Sequence, residues 1–323
     1  MMSRFQPVQP PMLEHGLLHE HYQYVEYTSA PALRPFVCCY WSSAVQPQYG
    51  SQMHRIVPDG CIDIIFDLYA TDHRGAFLSS LMRSYEVMEL AETMAFFGIR
   101  LYASEVRHLL GDAGTALTGI QVTLEQWLGS AAASIQEYIV TAPSMQQRIG
   151  RTDRWLLKLL RQQDDMNTQR LHGIVQSIHA KQGRLTIREL AQQMHYSERT
   201  LRRLFQQELG ISPKEWSDMI RFQVVLRYFQ FANAKVWPKQ YQPPASDDVA
   251  NAELFKNDDV QYQSLPYAIT GKGSLQQLTL REVAVHFGYY DQAHLNLAFQ
   301  RYYGVSPGQL IMNDYRNEHT DQN

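Results

Sequence analysis

The chain has 323 residues, 45% of them hydrophobic and 19% charged, with a formal net charge of −3 and three cysteines. That composition excludes general disorder and collagen-like repetition, and the length leaves room for two domains or three small ones. No run approaches the ~18 consecutive apolar residues that a membrane span requires, so no membrane partner is expected.

The opening, Met1 to Glu14, is broken by prolines and polar residues where a secretory leader has its apolar stretch, which predicts a cytoplasmic protein. His15, His19 and His21 cluster with Glu14 and Glu20, but their spacing matches no well-defined metal-ligand pattern, so the segment reads as a polar arm and no metal or cofactor is expected. Four segments then read as strands, being short, aromatic or β-branched and partly alternating: Tyr22 to Thr28, Val37 to Ser43, Cys61 to Leu68 and Phe96 to Tyr102. Val57-Pro58-Asp59-Gly60 is a turn signal between two of them. Arg100, on the last strand, reads as an exterior residue, a buried ion-pair partner or a cation presented at a barrel mouth. Cys38, Cys39 and Cys61 are too few for a disulfide framework, and no structural disulfide is expected. An alkyl-accepting zinc site would need four thiolates. Residues 1–133 are therefore predicted to form a β-rich barrel or sandwich.

Residues 134–170 read as a helical connector, with amphipathic helices at Ile135 to Val140 and Arg154 to Leu160 and a linker from Gln162 to Thr168. The helices could form an antiparallel dimerisation pair or cover the sheet. Leu171 to Lys181 opens an all-α domain over 171–323, giving an α+β chain overall.

From Leu185 the chain repeats itself. Leu185-Thr-Ile-Arg-Glu-Leu-Ala-Gln-Gln-Met-His-Tyr aligns with Leu278-Thr-Leu-Arg-Glu-Val-Ala-Val-His-Phe-Gly-Tyr. After one extra residue in the second copy, Leu201-Arg-Arg-Leu-Phe-Gln-Gln-Glu-Leu-Gly-Ile-Ser-Pro aligns with Leu295-Asn-Leu-Ala-Phe-Gln-Arg-Tyr-Tyr-Gly-Val-Ser-Pro. Each copy opens on a capping box, Thr186 with Glu189 and Thr279 with Glu282, so a helix starts at each threonine. Ser197 and Asp291 are N-caps for a second helix, and Gly210 and Gly304 stop it. Ser212-Pro213 and Ser306-Pro307 start a third. Ala191 and Ala284 are small where two helices must cross closely. Helix, tight turn, helix is a helix-turn-helix, predicted over 186–209 and again over 279–303. Solenoid hairpins also repeat, but they stack three or more copies and this chain has two.

Charge supports a phosphate-facing role for the first copy. Residues 1–170 hold 13 Lys+Arg against 17 Asp+Glu, whereas 181–227 hold nine against five. On helix 198–208 the side not used for packing carries Arg199, Arg202, Arg203 and Gln206, long donors that fit a major groove, arginine to guanine and glutamine to adenine.

Ser-Glu-Arg-Thr-Leu-Arg-Arg-Leu-Phe with Gly-Ile-Ser-Pro-Lys at 197–214, and Gly-Tyr-Tyr-Asp-Gln-Ala-His-Leu with Gly-Val-Ser-Pro at 288–307, resemble the AraC/XylS family of bacterial transcription regulators. The resemblance implies two helix-turn-helix units joined by a linker helix, with recognition helices in successive major grooves of double-stranded DNA. It places base-facing positions on Arg199, Arg202 and Arg203 in the first copy and on Gln292, Ala293, Asn296 and Leu297 in the second. Leu297 stands where relatives commonly carry arginine, so the second copy is expected to read fewer bases, through Gln292 and Asn296. Arg301 and Lys214 are expected on phosphate.

The linker helix is predicted over 212–230 with Trp216, Ile220, Val224 and Phe231 on one buried face. Residues 231–277 then intervene where relatives have roughly a dozen residues. This turn-rich stretch, with at most a short helix near Val249 to Phe255, reads as a surface loop or as a contact for RNA polymerase, a second subunit or a ligand. The N-terminal residues Pro35-Phe36-Val37, Tyr40-Trp41, Val57 to Phe66 and Phe97 to Tyr102 resemble a cupin-like sensor domain of one branch of the same family, which implies a small-molecule effector or a homodimer. No phosphate loop, nucleophile elbow or zinc-spaced pair is present, so no enzyme is expected. The alternative function is a protein-interaction regulator that keeps the fold and binds DNA weakly through the first copy.

Overall fold

The computed structural model describes residues 5–9, 12–13, 22–45, 52–70, 75–111, 121–160, 166–232 and 278–310. His15, His19, His21, the 233–277 part of the intervening stretch with its expected short helix, and residues 162–165 of the expected linker lie outside these.

The N-terminal half builds two antiparallel sheets. Strands β2 (Tyr22–Tyr27), β3 (Val37–Val45), β8 (Met94–Tyr102), β5 (Cys61–Asp67), β6 (Ala76–Leu78) and β9 (Val122–Thr123) form one in that order. Strands β1 (Met12–Leu13), β4 (Gln52–Ile56) and β7 (Glu86–Leu90) form the other. Strand β8 is central because Met94 to Tyr102 is apolar or aromatic except at Gly98 and Arg100, as a strand covered on both faces must be. Gly98 is dictated by its neighbour: the Trp41 indole lies across it, and a Cβ there would sit 1.9 Å from the ring. The β3–β8 register slips between Val37 and Cys39, a bulge that holds Cys38.

The period of two then sorts the side chains. One face of the larger sheet presents Tyr40, Ile64, Phe66, Phe97 and Ile99, all fully buried. It lies under α2 (Leu124–Leu128), α3 (Ala131–Val140) and α4 (Met145–Leu159), where Trp155 meets Phe66 edge-on and the Tyr40 hydroxyl donates to Asp153 at 2.7 Å. These helices thus cover the sheet. The other face presents Trp41, Asp63 and Arg100, with the smaller sheet opposite.

After the short α1 (Arg107–Leu110) and the covering helices come α5 (Met166–Ala180), α6 (Ile187–Gln193), α7 (Glu198–Leu209), α8 (Pro213–Ala232), α9 (Leu280–His286) and α10 (Gln292–Tyr302). Helix α5 starts five residues before the expected Leu171, because buried Thr168 extends the stripe of Leu171, Ile174, Val175 and Ile178 by one turn. Strands β4 and β7 also escaped the sequence reading.

Helix α8 differs from its expected single buried face. Met219, Phe222, Gln223, Val225, Leu226, Tyr228 and Phe229 are buried besides Trp216 and Ile220, while Val224 is half-buried and the side chain of Phe231 lies outside the described residues. The helix is enclosed because the two helix-turn-helix units and the N-terminal half pack around it. Gly60, at φ +78°, brings the turn before β5 against it, and a Cβ there would touch Trp216 and Met219 at 3.4 Å. Gln223, 1% exposed, accepts from Val8 N at 2.7 Å and donates to Pro58 O at 2.8 Å. Arg107 pairs with Glu208 of α7 at 2.9 Å, and the Arg55 guanidinium lies 5.6 Å from the Tyr85 ring and 5.3 Å from that of Tyr303. One apolar core runs from the sheet into the helices.

Candidate nucleic-acid interface and N-terminal cavity

The two copies close in the same way. Thr186 Oγ1 accepts from Glu189 N at 3.2 Å while Glu189 Oε2 accepts from Thr186 N at 2.8 Å; for Thr279 and Glu282 the distances are 3.3 and 2.8 Å. The backbone and hydroxyl hydrogen bonds from the threonines hold both carboxyls below their ordinary range. The turn passes through the left-handed region at His195 (φ 56°) and at the equivalent Gly288 (φ 77°). Ser197 Oγ then accepts from Thr200 N at 3.1 Å, and Asp291 Oδ1 from His294 N at 2.8 Å. Gly210 and Gly304 end the second helices at φ 66° and 85°.

Helix α7 buries Leu201, Leu204, Phe205, Glu208 and Leu209 and leaves Arg199, Arg202, Arg203 and Gln206 exposed, as expected. Arg202 pairs along the surface with Glu198 at 2.7 Å, and Gln206 Nε2 donates to Gly210 O at 3.3 Å. Helix α10 buries Leu295, Phe299 and Tyr302. Because Leu201 aligns with Leu295, Arg199, Arg202, Arg203 and Gln206 correspond to Ala293, Asn296, Leu297 and Gln300. Ala293 and Gln300 are exposed and Leu297 is 69% exposed, an apolar pair where α7 carries two guanidinium groups. Gln292 is exposed at the helix start, but Asn296 is half-buried, with Oδ1 out of solvent and no hydrogen bond among the described residues.

The two expected phosphate contacts differ. Lys214 is open to solvent and, among the described residues, is tied only along its own helix to Asp218 at 3.0 Å. Arg301 instead reaches Glu215 of α8 at 3.5 Å, with its guanidinium 5.2 Å from the Tyr302 ring. Glu215 also pairs with Arg83 of the N-terminal half and caps Ser212. Burial pushes its carboxyl up, but hydrogen bonds from Arg83 and Ser212 outweigh that and hold it down at about 2. A local reading of charge had no means of finding this partner; the only trace is an acidic residue in a basic segment.

Between the two sheets lies a cavity of about 550 Å³. Trp41, Asp63, Ile65, Phe96 and Arg100 face it from the larger sheet, and His54, Glu86 and Met88 from the smaller. Arg100, 4% exposed, is the buried ion-pair partner among its three expected readings. Its Nε lies 3.4 Å from Asp59 and 3.3 Å from Asp63, and its Nη1 3.3 Å from Glu26. Burial raises the Asp63 carboxyl to about 6 against the pull of Arg100, and raises Asp59 as well; burial also lowers His54 to about 4. Cys38, Cys39 and Cys61 are free thiols at the same end of the sheet, with Cys39 opposite Arg100 in register. Among the described residues no group of side chains has the makings of a metal site, and no helix is long and apolar enough to cross a membrane.

A family model described as a domain of unknown function, DUF6597, matches residues 25–123. The model of bacterial regulatory helix-turn-helix proteins of the AraC family matches twice, over 179–216 and 275–312. No curated protein matches the chain. Among solved structures the chain is similar to ToxT from Vibrio cholerae O395, at 10% identity and TM-score 0.37, covering 90% of this chain and 96% of that one. It is similar also to a second ToxT crystal form (12%, 0.37, 91% and 99%) and to ToxT of strain SCE256 bound to an unsaturated fatty acid (10%, 0.34, 96% and 98%). With that model matched in both copies of the repeat, behind a β-rich N-terminal half, the chain carries the helix-turn-helix domain of the AraC family of bacterial regulatory proteins.

Proposed function

We propose that the chain is a sequence-specific transcription regulator that binds double-stranded DNA through both helix-turn-helix units and is modulated through its N-terminal half. Residues 1–133 serve as the effector domain, 134–170 as connector and 171–323 as the DNA-binding domain. The observation that carries this reading is the outward face of α7, where Arg199, Arg202, Arg203 and Gln206 stand exposed at helical spacing. Arg199, Arg202, Arg203 and Gln206 read base edges, while Lys214 meets phosphate. On α10 the equivalent face offers Ala293 and Leu297, whose natural counterpart in a major groove is the thymine methyl group, with Gln292 beside them and Asn296 turned partly inward. Arg301 acts by fixing α10 to the linker helix. RNA polymerase and a second copy of the chain are further expected partners, and the cytoplasm is where such a regulator meets its DNA.

The route from cavity to DNA is the 57–60 turn. Asp59 lines the cavity, while the neighbouring Pro58 and Gly60 touch Gln223 and Trp216 of the helix that spaces the two recognition helices. Selection of bound sequences from a random duplex pool tests the reading. A two-part motif is the expected result; no enrichment at moderate salt overturns it in favour of a protein-interaction regulator.

A further inference from the structure

Among the described lining residues the cavity holds more carboxylates than guanidinium groups: Asp59, Asp63 and Glu86 against Arg100. Arg100 is in contact with Glu26, Asp59 and Asp63, all at 3.3–3.4 Å, and Glu86 adds a further acid to the wall. Among the described lining residues there is no lysine and no second arginine. A carboxylate entering this space would compete with two aspartates already seated on Arg100, and would stand among like charges.

The two aspartates are not equally engaged. Asp59 uses both oxygens, accepting from Cys61 N at 2.8 Å and from Gln9 Nε2 at 3.0 Å. Asp63 Oδ1 accepts from Trp41 Nε1 at 3.0 Å, and its Oδ2 accepts no hydrogen bond among the described residues. Beside it stand Trp41 and Tyr24, stacked at 6.1 Å between centroids and both lining the cavity. Aromatic faces next to a carboxylate are the surroundings that an alkylammonium or arylalkylammonium group favours, because ring quadrupole and carboxylate both attract the cation. The remainder of the wall, including Met82, Met88, Met94, Phe77 and Phe96, is apolar and polarisable, suited to a hydrocarbon body.

We propose that this cavity binds a small organic cation, an ammonium group on an aromatic or alkyl body, with Asp63 as the counter-charge and Trp41 and Tyr24 against the cationic head. As an assignment of the effector it rests on the regulator reading; as an assignment of the ligand's charge it stands on the cavity alone. Binding has a pH signature. The groups around Asp63 are Arg100 on β8, Asp59 in the turn, Cys38 on β3, Tyr24 and Glu26 on β2, His54 on β4 and Glu86 on β7. Of these Asp59 is raised in the same direction as Asp63, and His54 is held neutral down to about 4. Acidification through about 6 therefore protonates Asp63 and removes the negative charge that a cation needs.

The test uses the full chain and three probes of matched shape: 3-phenylpropan-1-amine, 3-phenylpropan-1-ol and 3-phenylpropanoate. Calorimetry near pH 8 is expected to show the amine binding about tenfold tighter than the alcohol, with the carboxylate weakest. Asp63→Asn is expected to weaken the amine about tenfold and to leave the alcohol within about twofold. Should that variant fail to fold, the wild-type titration serves: from about pH 8 to about pH 5 the amine loses affinity and the alcohol does not. A carboxylate that binds as tightly as the amine, as a fatty acid site would require, overturns the proposal. So does an amine indifferent to both Asp63→Asn and pH, or the absence of binding by all three. Selection from random DNA without any probe judges the regulator reading separately, so an empty selection with charge-selective binding would sink the one and leave the other.

Discussion

Gln223, in the middle of the linker helix, donates from Nε2 to the carbonyl oxygen of Pro58, 165 residues away, at 2.8 Å. The same amide holds both backbone groups of Val8, so one buried side chain ties the N-terminal segment and the cavity turn to the helix between the two helix-turn-helix units. Gln223→Ala leaves three buried backbone groups without partners. We expect a loss of about 1–3 kcal/mol in urea unfolding, together with loss of any effect of a cavity ligand on DNA affinity. Retention of that effect would place the coupling elsewhere.

The basic face of α7 separates specificity from plain affinity. Among the described residues Arg202 is held only by a surface i,i+4 pair with Glu198, worth about 0.3–0.5 kcal/mol, which DNA can easily displace. Arg202→Ala or Arg203→Ala is expected to cost about 1–3 kcal/mol and to relax base preference at one position. Lys214→Ala is expected to weaken all sequences alike and to lower the salt slope by about one. Fluorescence anisotropy on matched and single-substituted duplexes reads both.

Leu297 calls for a probe that changes the DNA. Replacing thymine by uracil in the half-site of α10 removes only the 5-methyl group, and at ~0.8 kcal/mol per buried methyl a roughly fourfold loss per contacted base is expected. The same replacement in the half-site of α7 should have no comparable effect, and Leu297→Ala should abolish the difference. Equal affinity for thymine and uracil in both half-sites with the wild-type chain would refute methyl readout.

Glu215 gives a pH dependence to the joint between the halves. Its folded-state value, about 2, lies below the ordinary 4.5, so its contribution to stability is complete above the ordinary value and fades as pH falls toward the folded one. The wild-type unfolding midpoint should therefore fall between about pH 5 and pH 2 more steeply than that of Glu215→Gln. Parallel profiles would show that the Arg83 and Arg301 contacts contribute nothing to stability.

What the sequence disclosed was whatever is encoded within a few residues. Thr186 and Thr279 announce their helices through a glutamate three positions on, and Gly210 and Gly304 announce where the second helices stop. The central strands were legible because Cys61 to Asp67 and Met94 to Tyr102 carry their own apolar, β-branched or aromatic runs. Strand β7, Glu-Val-Met-Glu-Leu, was not, because three of its five residues are exposed and nothing local distinguishes it from a loop. His195 belongs to a polar break that was seen, but its left-handed backbone was not, since histidine carries no such signal. Partners far apart in sequence stayed hidden for a general reason: Arg107 and Glu208, or Arg100 and Glu26, are chosen by the packing of elements and leave no mark in either segment. Helix α8 was misread for the converse reason, since a helix enclosed on nearly every side has no stripe to display.

For a chain that binds DNA as proposed, the unlike faces of α7 and α10 make the two half-sites distinguishable: guanidinium groups at one end and an alanine–leucine pair at the other call for different bases. A single chain then lies one way round, and its cavity-bearing half always projects over the same flank. Inverting the site in front of a promoter would swing that half to the opposite side.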